Sequence, residues 1–112
     1  MGDVIDKMTI LTRKTYFGEE FAHIELDAYI KKLGKLGELL VNTIRLGQIN
    51  FEIWNLENEL RKGGEDKFSL EEIGRRAIKI RDFNKKRIQY KNEINRITQT
   101  GFIEYKIKHR SQ

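Results

Sequence analysis

The stretch LGQINFEIWNLENELRKGGEDKFSLEEI, residues 46–73, decides the fold. Leu46, Ile49, Ile53, Leu56 and Leu60 recur at alternating steps of three and four, which places them along one stripe of an α-helix. Gly63 and Gly64 stop that helix, and Arg61 and Lys62 suit its negative C-terminal end. Ser69 followed by Glu72 is the Ser-x-x-Glu pattern of a capping box, in which the Ser side chain and the Glu side chain each satisfy a free backbone N–H. A loop this short forces the flanking helices to run antiparallel as neighbours. The spacing predicts helices over 38–62 and 69–98, the second ended by Gly101.

Upstream, Val4, Ile5, Met8 and Leu11 keep helical spacing behind Asp3 and Asp6, whose charge suits a helix N-terminus, so a first helix is expected over 3–15. Tyr16, Phe17 and Gly18 read as a corner, and Leu26, Tyr29, Ile30 and Leu33 mark a second helix over 20–33. Gly34 and Gly37 leave two readings open: the helix ends there in a glycine cap, or it continues and the glycines allow close packing. Past Gly101, residues 102–112 alternate weakly and are expected to be partly extended along the bundle. The expected fold is all-α, a four-helix bundle built on a long antiparallel hairpin, in a single domain over 1–112.

Composition agrees. With 112 residues, 38% hydrophobic and 35% charged, the core must be thin and fed by narrow stripes. The absence of cysteine excludes disulfides, thiolate nucleophiles and Cys-based zinc sites, and the absence of proline leaves long helices uninterrupted. Twenty-two Lys and Arg against seventeen Asp and Glu give +5 and a pI near 9.5, which favours anionic partners without supplying a nucleic-acid motif. No apolar run approaches a membrane span, and a cytoplasmic protein is expected. His23 and His109 lack an acidic helix partner, so no metal or cofactor is expected.

One feature of the last helix breaks its pattern. With Ile73 as origin and 100° per residue, Leu70, Ala77, Ile80, Ile88 and Ile94 define the expected buried face, yet Asn84, Arg87 and Lys91 fall in its middle. Unpartnered, each buried cation would cost several kcal/mol. Asn50, Trp54, Glu57 and Arg61 form a matching stripe on the preceding helix. These seven residues are the candidate site. One reading is a cleft for an anionic small molecule such as a phosphorylated sugar or a dicarboxylate. The other is an internal ion-pair network, with Glu57, Glu52 or Asp6 neutralising Arg87 and Lys91.

Three pieces of the chain resemble an uncharacterised family of small all-helical bacterial and phage proteins. They are the opening Asp6-Lys7-Met8-Thr9-Ile10-Leu11, the run Asn50, Trp54, Glu57, Arg61, and the run Asn84, Arg87, Lys91, Glu93, Ile94, Asn95. The stretch from Tyr16 to Gly47 departs most. The resemblance implies an all-helical fold and brings no activity or substrate.

The residues fit no familiar catalytic arrangement. An Arg and Lys bundle could imitate the electrostatic catalysis of helical chorismate mutases, but only by analogy. The acidic pairs Glu57 with Glu59 and Glu71 with Glu72 have the wrong spacing for a magnesium-dependent helical pyrophosphohydrolase. Whether the chain is an enzyme stays open. Two classes of function remain: a small binding protein with a polar cleft, and an assembly protein. Apolar positions away from the main faces, such as Ile78 and Ile97, are left to bury and point to a homodimer.

Overall fold

A computed structural model describes residues 1–64 and 67–99. It contains four α-helices: α1 (Gly2–Tyr16), α2 (Ala22–Leu33), α3 (Lys35–Glu59) and α4 (Leu70–Thr98). A short π-helical turn, Leu60–Gly64, widens the end of α3. The hairpin of α3 and α4 is the long axis of the fold, and α1 and α2 pack against its base. The expected extended tail over 102–112 and the stop at Gly101 lie outside the described residues.

The glycines decide the corners. Gly18 (φ +81°) follows α1, where its N–H donates to the Thr15 carbonyl at 3.1 Å. Gly34 alone joins α2 to α3: at φ +61° and ψ −130° it occupies backbone space that a Cβ makes costly, while its N–H donates to Ile30 at 2.8 Å. Its carbonyl accepts from Glu38 at 3.1 Å, so α3 begins at once. Both readings of the glycine pair therefore apply, each to one residue. Gly34 ends α2, and Gly37 lets the helices cross closely, since a Cβ there would lie 2.9 Å from the Ile30 Cα.

The core sits where α1, α2 and the first half of α3 meet. Met8, Leu11, Ala22, Leu26 and Val41 are buried together, with Val4, Tyr29, Ile30, Leu33 and Leu40 packed around them. Thr12 is buried too, and its hydroxyl donates to the Met8 carbonyl at 2.6 Å, which satisfies its only donor.

At the start of α4, Ser69 accepts from the Glu72 N–H at 3.1 Å, as the capping box requires. The reciprocal half of the box is replaced. Glu72 instead takes Arg75 Nε at 3.0 Å and lies 3.2 Å from Arg76 Nε, because arginines three and four residues on offer charge-assisted partners. At the other end Gln99 adopts the left-handed conformation, and its N–H donates to Asn95 at 2.9 Å.

The expected buried face of α4 is corrected by the structure. None of its 29 residues is fully buried. Ile73, Ile80 and Ile94 are half-buried, whereas Ala77 is exposed, Leu70 is 87% exposed and Ile88 54%. The half-buried side of α4 extends round the helix from Ile73 and Ile80 to Arg76, Phe83, Tyr90 and Ile97.

Candidate functional site

Two ion pairs set the register of the hairpin: Arg76 with Glu59 near the tip, and Arg96 with Glu38 at 3.6 Å near the base. Between them Arg45 and Tyr90 share one hollow. The α3 side of the seam thus runs through Glu38, Arg45 and Glu59, with Glu52 at the same seven-residue spacing, opposite Arg96, Tyr90 and Arg76.

This register places the seven candidate residues. Trp54 is two residues beyond Glu52, about 200° round the helix, and so points away from α4; it is 54% exposed. Asn50, Glu57 and Arg61 are exposed with it, and Arg61 pairs with Glu57 at 3.8 Å across one helical turn. On α4, Asn84 is half-buried, while Arg87 and Lys91 are exposed. No hydrogen bond or ion pair among the described residues joins the two sets. The expectation that Arg87 and Lys91 are buried among carboxylates is therefore corrected: water solvates them, and neither Glu57, Glu52 nor Asp6 forms an ion pair with them.

The enclosed cation is Arg76, which sequence reasoning missed. Its side chain is 18% exposed and lies between Glu59 and Glu72, with its guanidinium 4.0 Å above the Phe68 ring. Glu59 accepts a hydrogen bond from it, and Glu72 and the aromatic face add charge and cation–π contact, although the buried Nε has no hydrogen-bond partner among the described residues; Arg76 thereby clasps the tip of the hairpin.

A groove of about 500 Å³ opens on the other flank, lined by Thr12, Thr15, Tyr16, Arg45, Lys86 and Tyr90. Three helices build it: α1 supplies the threonines and Tyr16, α3 supplies Arg45, and α4 supplies Lys86 and Tyr90. Burial, then the negative charge of Glu52, then the neighbouring Tyr90 raise the pKa of the Tyr16 phenol above its ordinary value of 10.0. Glu52 itself accepts from Gln48 Nε2 at 3.1 Å. Neither Arg45 nor Lys86 forms an ion pair with a described carboxylate. None of these groove residues was singled out from the sequence. The available signal was Arg45, a cation interrupting the apolar run Leu39 to Leu46 on the flank that repeats every seven residues.

Among the described residues no group of three or more His, Asp or Glu could hold a metal ion. No described helix is long and apolar enough to cross a membrane. The chain matches no protein-family model, no curated protein and no solved structure.

Proposed function

We propose that the chain is an assembly module in which the α3–α4 hairpin packs against a second copy of itself to complete a four-helix bundle. The observation that carries this reading is that α4, with 29 residues, buries none of them in the single chain. A helix of that length is held in place by an apolar face against neighbours rather than by propensity alone.

The uncovered face follows from the register. On α3, Leu46, Ile53 and Leu60 each lie one residue beyond the stripe that meets α4, so they sit on one flank. On α4 the half-buried Ile73, Ile80 and Ile94 are rotated in the same sense from their own stripe, and in an antiparallel pair equal rotations emerge on the same side. The helices α1 and α2 occupy the opposite side, against Gly37, Leu40, Val41 and Ile44. Over the 25 residues of α3 the open face measures about 37 Å by about 20 Å, or roughly 740 Å², close to the 800 Å² per partner of a stable interface.

Glu57 borders this face toward the tip, while Arg87 and Lys91 lie within its α4 half, between Ile80 and Ile94, and are exposed. A face-to-face pair needs a two-fold axis lying in the plane of the face, either along the hairpin, which sets α3 of one copy over α4 of the other, or across it, which sets the tip of one copy on the base of the other. On this reading Asn50 and Glu57 border the face, and Asn84, Arg87 and Lys91 are polar positions within it.

Light scattering at tens of micromolar tests the reading. The expected mass is twice 13.3 kDa, falling to the monomer in Ile80→Arg. A monomeric native chain, or a dimer that survives Ile80→Arg, refutes the reading.

A further inference from the structure

The groove between α1, α3 and α4 lies on the flank of the hairpin turned away from the proposed dimer face. From its lining we propose that it is a binding site for a phosphorylated sugar, with Arg45 and Lys86 holding the phosphate and the threonine and tyrosine hydroxyls holding the sugar.

Four observations converge. First, Arg45 and Lys86 stand on adjacent helices, line the same groove and have no carboxylate partner among the described residues. Arg45 is half-buried between α1 and α4, and a planar guanidinium presents its donors in a fork that matches phosphate oxygens.

Second, the threonines are committed acceptors. Thr12 Oγ1 donates its hydrogen to the Met8 carbonyl at 2.6 Å, and Thr15 Oγ1 donates to the Thr12 carbonyl at 2.7 Å. What each oxygen offers the groove is lone pairs, which repel an anion and accept from a ligand hydroxyl. The matching ligand therefore carries both an anionic end and hydroxyl donors.

Third, Tyr16 and Tyr90 add two flat rings whose apolar faces can cover sugar C–H groups, with phenols able to donate or accept at the rim. Fourth, the volume of about 500 Å³ falls within the usual range for small-molecule pockets.

A dicarboxylate suits the groove less well. It has no hydroxyl to satisfy Thr12 and Thr15, and a second negative end would approach Glu52, whose charge already acts on Tyr16. The same carboxylate places the phosphate at the Lys86 side of Arg45, away from Glu52.

The test is an amide NMR titration of the full chain with a hexose 6-phosphate, the free hexose and inorganic phosphate in parallel. The hexose 6-phosphate is expected to move the resonances of residues 12–16, 45, 86 and 90. It should bind at least tenfold more tightly than inorganic phosphate and weaken as salt rises. Lys86→Met, a change at an exposed position, and Arg45→Met are each expected to weaken binding about tenfold while leaving the amide spectrum folded. Inorganic phosphate binding as well as the sugar phosphate overturns the sugar assignment, and no shift at millimolar ligand overturns the site. The mass measured by light scattering is independent of both outcomes, so this inference and the assembly reading fail separately.

Discussion

Replacing Gly37 by alanine tests the helix crossing on which the core depends. An added Cβ would lie 2.9 Å from the Ile30 Cα, 3.0 Å from the Ile30 carbonyl oxygen and 3.2 Å from the Leu33 Cβ. Comfortable separations are about 3.5–4.0 Å, so α2 must retreat by about 0.5–1 Å. Backbone atoms cannot escape by changing rotamer, and Gly34, three residues away, ties α2 to the start of α3. The retreat loosens Leu26 and Val41, both buried in the core. Overpacking of this kind costs roughly 1–3 kcal/mol, and alanine in a helix returns about 1 kcal/mol relative to glycine. Gly47 supplies the control, because it is exposed within α3 and a Cβ there meets nothing within 4 Å. Gly47→Ala should therefore gain about 1 kcal/mol, while Gly37→Ala loses about 0–2 kcal/mol. The difference between them cancels the propensity and isolates the clash. Urea denaturation at one fixed protein concentration reads it directly, as the separation of the two midpoints at unchanged slope. If Gly37→Ala is stabilised as much as Gly47→Ala, the close crossing does not exist and the packing of α2 on α3 is wrong.

Two further outcomes are expected. Arg76→Ala strands Glu59 and Glu72 and uncovers Phe68; discounted for partial exposure, the loss is about 1–2 kcal/mol, and Arg76→Lys recovers little because an ammonium cannot bridge two carboxylates in a plane. Amide exchange at the first turns of α4 should speed up in both variants, and unchanged exchange would remove the clasp. Tyr16 is an acid whose folded pKa is raised above 10.0 by burial, Glu52 and Tyr90, so the folded state holds that proton more tightly than the unfolded state. Its contribution is fully present below pH 10 and is lost as pH rises through the raised folded value. Ultraviolet titration of the phenol should show Tyr16 ionising above its ordinary 10.0, and Glu52→Gln should bring it down; an ordinary midpoint would place Tyr16 in open water.

The hairpin was legible because its signals are local: a stripe at three and four, paired glycines, and Ser69 before Glu72. Helix bounds fell within a few residues for the same reason, the exception being the end of α3, where the helix gives way to a π turn. The packed flank of α4 was not legible. Counting apolar side chains centred the face on Ile73, yet the half-buried side chains extend round the helix to Arg76, Phe83, Tyr90 and Ile97, where Glu59 of α3 pairs with Arg76. Such pairings join residues far apart in sequence, and no period along one helix encodes them. The seven candidate residues were misplaced for a related reason. Trp54 and Arg87 break the apolar pattern whether they face a cleft or water, and only the register shows that both face water. The groove went unseen because its six residues come from three helices and form no pattern on any one of them.

The distribution of burial also sets an order of events. Among the described residues, the fully buried apolar side chains, Met8, Leu11, Ala22, Leu26, Val41 and Ile49, come from the first 49 positions. During synthesis a nascent chain that has cleared the ribosome as far as α3 already holds every side chain needed to collapse α1 and α2 on their scaffold, before any of α4 has emerged. The last helix then docks onto a preformed surface, and in a single chain it is the first element to leave when the temperature rises. Opening of α4 should therefore cost far less free energy than opening of the α1–α3 corner, giving the molecule two tiers of protection, with the upper tier set by 49 residues and the lower by whatever α4 finds to lie against.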